Sequence, residues 1–174
     1  MGEQMKRAVL ALVAVTALAA CTGPDRFGAG SGAGAGGAGA GGFGGPGSAS
    51  DPTSVAYFNQ TVGDRVLFQV DQSTLTPEGQ ATLNAQADWL ARNPSYSAIV
   101  EGHADEQGTA DYNRSLGARR AAAAQNYLIS RGVAPSRLQI VSYGKERPLA
   151  ICSDESCYMQ NRRAVTVLTV GAGA

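Results

Sequence analysis

Asp105 and Arg120, in the stretch VEGHADEQGTADYNRSLGARRAAAAQNYL from Val100 to Leu128, are the two side chains best placed to handle a charged ligand. The Ala-rich run after Thr109 has the phase of an amphipathic helix. With about 100° per residue and Leu116 as origin, Asn113, Ala124 and Leu128 fall at about 60°, 80° and 120°, and Arg120 at about 40°. Arg120 therefore lies inside the apolar arc. Arg119 and Arg114, at about −60° and 160°, lie off it, where solvated charges belong. A guanidinium turned toward a core needs an anion, because an unpaired buried charge costs several kcal/mol. Asp105, in the loop that opens the helix, is the nearest candidate, and two arrangements satisfy the requirement. The pair closes as an internal salt bridge, or it holds opposite ends of a zwitterion, Asp105 taking an ammonium and Arg120 a carboxylate in a bidentate fork.

The elements that must position this pair are legible from pattern. Ser54 to Phe58 reads as a short edge element, Val62 to Arg65 as a turn, and Val66 to Val70 as a strand closed by Asp71. Thr76 and Pro77 occupy the favoured cap and first positions of a helix that carries Leu83, Ala87 and Leu90 on one face and ends at Asn93-Pro94. A strand from Ser97 to Gly102 follows, then the polar loop, then the long helix capped by Thr109 and ended by Gly132. Leu138 to Tyr143 and Ala164 to Val170 read as two further strands, with a loop and a short helical turn between Lys145 and Asn161. The expected fold class is α+β: a βαβαββ order with two main helices on a four-stranded mixed sheet.

Composition splits the 174 residues in two, since most of the 23 glycines precede residue 48. Lys6 and Arg7 lead into an apolar run, Ala8 to Ala20, that is too short to span a bilayer and reads as a signal peptide. It ends in Leu18-Ala19-Ala20-Cys21, the pattern of a bacterial lipobox, in which Cys21 receives the lipid; acyl chains at about 0.8 kcal/mol per buried CH₂ make a permanent anchor. Thr22, rather than Asp, follows the lipidated position and favours the outer membrane. The expected organisation is residues 1–20 signal peptide, 21–53 lipidated Cys and flexible Gly/Ala-rich linker, and 54–174 folded domain. A Gly-rich coil of this length spans roughly 30 Å on average and reaches about 100 Å when pulled out. Without its first 20 residues the chain keeps 12 basic against 13 acidic side chains, a balance that argues against nucleic acid as a partner.

The ordered runs GHADEQGTADYNRSLGARRA, VSYGKERP and QNRRAV resemble the OmpA-like peptidoglycan-binding domains, in particular those of the peptidoglycan-associated lipoproteins of the Tol-Pal system. The resemblance covers roughly Val62 to Val170. It implies that Asp105 and Arg120 bind meso-diaminopimelate of the peptidoglycan stem peptide, with Asp71 lining the same pocket at the end of the first strand. Asn113, Gly108 and Thr109 belong to the same motif, and Asn161, Arg162 and Arg163 help hold the loops near the pocket. Gln69 and Thr74 stand where many relatives carry further acids, which leaves the pocket rim less negative. The implied partners are peptidoglycan, TolB and other Tol-Pal components, and the outer membrane, with the domain facing the periplasm and supporting envelope integrity and cell division.

The remaining chemistry-bearing residues have plainer readings. His103, Asp105 and Glu106 match no common zinc spacing, and His103 is the single histidine of the chain, so no metal is expected; His103 is expected to hydrogen-bond in the loop. No cofactor is expected either. Asp105 with Glu106 lacks a nucleophile and an oxyanion donor set, which sets a wall-processing hydrolase or amidase in the same pocket behind a non-enzymatic binder. Cys152 and Cys157 remain once Cys21 is acylated, and an oxidising periplasm favours a structural disulfide over a redox-active or zinc role, since their spacing is not C-x-x-C.

Overall fold

The structure, a computed structural model, describes residues 47–170, so the leader, Cys21 and most of the expected linker lie outside the described residues. The elements run α1 (Val55–Tyr57), a π-helical turn (Phe58–Gly63), β1 (Arg65–Leu67), α2 (Pro77–Arg92), β2 (Tyr96–His103), α3 (Ala110–Ser130), a 3-10 turn (Pro135–Arg137), β3 (Leu138–Gly144), α4 (Glu155–Asn161) and β4 (Arg163–Val170). The sheet order is β1-β4-β2-β3, with β2 and β3 parallel and β4 antiparallel to both its neighbours. This is the expected α+β class. Among the described residues no helix is long and apolar enough to cross a membrane.

The two long helices start and stop where local chemistry says they should. Thr76 Oγ1 accepts from Gly79 N–H and Thr109 Oγ1 from Tyr112 N–H, each satisfying a donor the first helical turn leaves free. Leu83, Trp89 and Leu90 of α2 and Ala121, Ala124 and Leu128 of α3 pack with Ala98 and Val100 of β2 into one core. Gln86, fully buried, donates to Gly63 C=O and accepts from Thr166 Oγ1, which ties α2 to β4 through a satisfied polar group.

Three expectations need correction. Ser54 to Phe58 is helical rather than an edge element: Ser54 Oγ accepts from Tyr57 N–H, and this cap overrides the strand preference of Val55, Tyr57 and Phe58. The first strand is shorter than Val66 to Val70, because the carbonyls of Gln69 and Gln72 turn inward to Arg120 instead of pairing with a strand. Packing also begins before residue 54, since Trp89 Nε1 donates to Pro52 C=O at 2.8 Å and Ser54 Oγ to Ser48 C=O at 2.6 Å.

What positions the site is the close seating of α3 on the sheet. A Cβ added to Gly102 would lie 1.8 Å from Gly117 C=O, and one on Gly117 would lie 2.5 Å from Ser142 Oγ. The two glycines let helix and strand backbones touch, and Ser142 Oγ donates to Arg114 C=O at 2.7 Å. The N-terminal turns of α3 are thereby held against the carboxyl end of β2.

Candidate ligand-binding cleft

The loop between β2 and α3 is built from the backbone outward. Asp105 Oδ1 accepts from Gln107 N–H at 3.2 Å, Gly108 takes φ +87°, and Asn113 Nδ2 donates to Gln107 C=O at 2.7 Å. Lys145 Nζ adds a bond to Gly108 C=O at 2.7 Å. Asn113 thus orients the loop rather than Arg120. Glu106 Oε1 accepts from Ser153 Oγ and Tyr158 Oη at 2.9 and 3.0 Å, fastening the loop to α4.

Opposite this loop, Asp71 tops the turn that follows β1. Its φ of +54° makes it the one non-glycine residue in the left-handed region among the described residues, a conformation that costs about 1 kcal/mol or more and persists where the surroundings impose it. Tyr112 Oη donates to Asp71 Oδ1, and that bond raises the phenol's pKa, keeping it the donor. Asp71, Asp105, Gln107, Tyr112, Asn113 and Leu116 surround an open cleft of about 240 Å³. Its size suits an amino-acid-sized group, and its two carboxylates suit a cation.

Arg120 is fully buried, as the helix phase requires, and it neither pairs with Asp105 nor lines the cleft. Nε, Nη1 and Nη2 donate to the carbonyls of Gln72, His103 and Gln69 at 2.8, 2.8 and 3.2 Å, and the Phe68 ring lies 5.4 Å from the guanidinium carbon. Burial pulls its pKa down to about 10, with nearby Asp105 opposing that fall, so the cation persists at neutral pH. Two of its five N–H donors remain beyond these three bonds.

The partner of Asp105 is Arg162. Its Nη1 donates to Asp105 Oδ2 at 3.2 Å, its Nε to Phe68 C=O at 3.3 Å, and its Nη2 to Glu155. Burial disfavours its charge, yet the bonds to Glu155 and Asp105 prevail and raise its pKa. Asn161 Oδ1 accepts from the N–H groups of Leu149 and Ala150, and Arg163 donates to the carbonyls of Asn161 and Arg147, so the Asn161-Arg162-Arg163 segment holds three stretches of loop together. A disulfide joins Cys152, in the loop ahead of α4, to Cys157 in its first turn.

His103 does not hydrogen-bond through its ring as expected. It ends β2 with both ring nitrogens buried and without a hydrogen-bond partner, while its carbonyl serves Arg120. Burial, then Arg163 and Arg147, lower its pKa to about 4, so the contact with Glu101 at 3.6 Å is not an ion pair at neutral pH. Tyr112 and Glu155 were missed from sequence. Tyr112 sits one turn before Leu116, and Glu155 lies seven residues, two helical turns, before Arg162; both spacings are visible once the helix is placed.

Fold and cleft together define a two-layer α+β module whose acid-lined cleft opens at the carboxyl end of a central strand. The OmpA family model matches residues 67–162. A peptidoglycan-associated lipoprotein of Mesorhizobium japonicum is 50% identical over 166 residues, covering 95% of this chain and 93% of that protein. One from Rhizobium meliloti is 55% identical over 126 residues, 72% of this chain and 71% of that protein. The crystal structure of the peptidoglycan-associated lipoprotein from Burkholderia pseudomallei superposes with a TM-score of 0.62 at 35% identity, covering 70% of this chain and 98% of that one. The chain belongs to the OmpA family and, within it, to the peptidoglycan-associated lipoproteins.

Proposed function

We propose that this protein is an outer-membrane lipoprotein, anchored through Cys21, whose domain binds peptidoglycan without covalent bonds and ties membrane to wall as part of the Tol-Pal system, with TolB among its partners. Residues 1–20 act as the signal peptide and the Gly/Ala-rich stretch as the tether. The supporting observation is the cleft bearing Asp71 and Asp105, with the buried cation of Arg120 within electrostatic reach of both, in a chain 50% identical over 95% of its length to a peptidoglycan-associated lipoprotein. Meso-diaminopimelate carries an ammonium and a carboxylate on one carbon. The two carboxylates receive the ammonium, and the spare Arg120 N–H groups receive the carboxylate once the Tyr112–Asp71 contact parts. No bond is made or broken in the ligand, so the protein is not an enzyme.

Co-sedimentation with purified sacculi tests this reading. Asp105→Asn keeps the size of the side chain and removes its charge; it is expected to lower binding about tenfold or more, as loss of one charge-assisted contact implies. Arg120→Lys is expected to bind worse as well, because an ammonium cannot reproduce the fork. Unchanged retention of both variants would sink the assignment. Soluble fragments released from sacculi would point instead to a wall-processing hydrolase or amidase.

A further inference from the structure

The disulfide between Cys152 and Cys157 closes a ring of six residues, CSDESC, whose side chains reach the loop that carries Asp105. From within the ring, Ser153 Oγ donates to Glu106 Oε1, and Glu155 accepts from Nη1 and Nη2 of Arg162. Arg162, 3% exposed, also donates to Asp105 Oδ2 from Nη1 and to Phe68 C=O from Nε. The ring thus touches both consecutive acids of the loop: Glu106 directly through Ser153, beside a second bond from Tyr158 Oη of α4, and Asp105 through the Arg162 guanidinium that Glu155 shares.

Within the ring, Ser153 and Glu155 are themselves exposed. α4 has seven residues, below the length at which a helix is stable by itself, and its first turn depends on Asp154 accepting from the N–H groups of Ser156 and Cys157. Ahead of it, Leu149 and Ile151 are 51% and 89% exposed, so apolar packing does little to fix the segment. The bridge is its main covalent constraint.

We propose that the Cys152–Cys157 ring is a redox-breakable clamp that keeps Asp105 available to a cationic ligand group, with Glu155 as its positioning residue. This rests on the proposed use of Asp105. With the ring closed, Glu155 shares Arg162 and leaves Asp105 only part of that guanidinium's attraction. When the ring opens, Glu155 is withdrawn, the Arg162 fork turns wholly onto Asp105, and an incoming ammonium must displace it. Opening needs two electrons and two protons from a dithiol. One thiolate attacks the half-buried Cys152 sulfur, the Cys157 thiolate leaves and is protonated, and the second thiol resolves the mixed disulfide, leaving Cys152 as a thiol and the reductant as its own disulfide.

Amide hydrogen exchange and calorimetric binding of a diaminopimelate-containing muropeptide test the clamp, on the oxidised protein, the protein reduced with dithiothreitol, Cys152→Ser/Cys157→Ser, and Glu155→Gln with the bridge intact. Expected are exchange at 106–108 faster by about tenfold in the two open forms with β2 amides still protected, and muropeptide affinity about five- to tenfold weaker in all three altered forms. Equal exchange and equal affinity with the ring open or closed would overturn the proposal, as would full affinity in Glu155→Gln. If the oxidised protein binds no muropeptide, the function proposed above fails, while unchanged exchange at 106–108 would separately refute the mechanical part of the clamp.

Discussion

Arg120 keeps its charge where no water reaches it by spending three donors on the carbonyls of Gln69, Gln72 and His103, dipoles from two separate elements. It therefore braces the turn that carries Asp71 and the strand end that leads to Asp105, in addition to any contact with a ligand. His103 offers a sharper test at this scale. Its pKa is about 4 in the folded protein against an ordinary 6.5, so folding favours the neutral ring. The stabilisation is complete above pH 6.5 and is lost as the pH falls toward 4, where the unfolded chain binds the proton and the folded one does not. His103→Phe keeps a ring, gives up no hydrogen bond at either nitrogen, and cannot titrate. Melting temperatures taken from pH 7 to pH 4 are expected to fall more steeply for the wild type than for this variant; parallel curves would refute the assignment.

Among elements, the contact of α3 with β2 and β3 admits the fewest changes. Gly117→Ala places a methyl against Ser142 Oγ and Gly102 C=O, and since backbone cannot yield on the second side, a loss of about 3 kcal/mol is expected in urea unfolding. A change below about 0.5 kcal/mol would show that the helix rides higher than described. The elements themselves were legible where their signals are local: α2 and α3 have the Thr caps and periodic faces that the sequence displays, and Gly132, at φ +97°, follows α3 as a helix-ending glycine should. Legibility failed where a signal is shared. Ser54 to Phe58 carries strand-forming residues behind a helix-capping serine, and β1 stops at Leu67, beyond which a buried side chain from a distant helix takes the carbonyls of Gln69 and Gln72.

For the whole domain, Trp89 is the natural reporter, the one tryptophan of the chain, 1% exposed between Phe58 and Tyr96 with its N–H on Pro52 C=O. Urea unfolding followed by its fluorescence is expected to be a single transition. A diaminopimelate-containing muropeptide at a hundredfold excess over its Kd should raise the unfolding free energy by about 2.7 kcal/mol without altering the slope. A changed slope would mean that the ligand reshapes the fold instead of binding a preformed cleft. The formal net charge of zero supplies no net monopole for long-range steering.

Read alone, the residues sufficed for the α+β class, the two long helices with their caps, and the inward aim of Arg120, because helix phase and capping act over one or two turns. The partner of Asp105 was beyond their reach. Arg162 stands 57 positions further on, and only the placing of β4 beside β2 and β1 brings it to the loop, just as only the crossing of α3 over the sheet brings Tyr112 to Asp71, 41 positions earlier. Pairings of that separation depend on strand order and helix seating, which arise from how the whole core packs and leave no mark in local spacing.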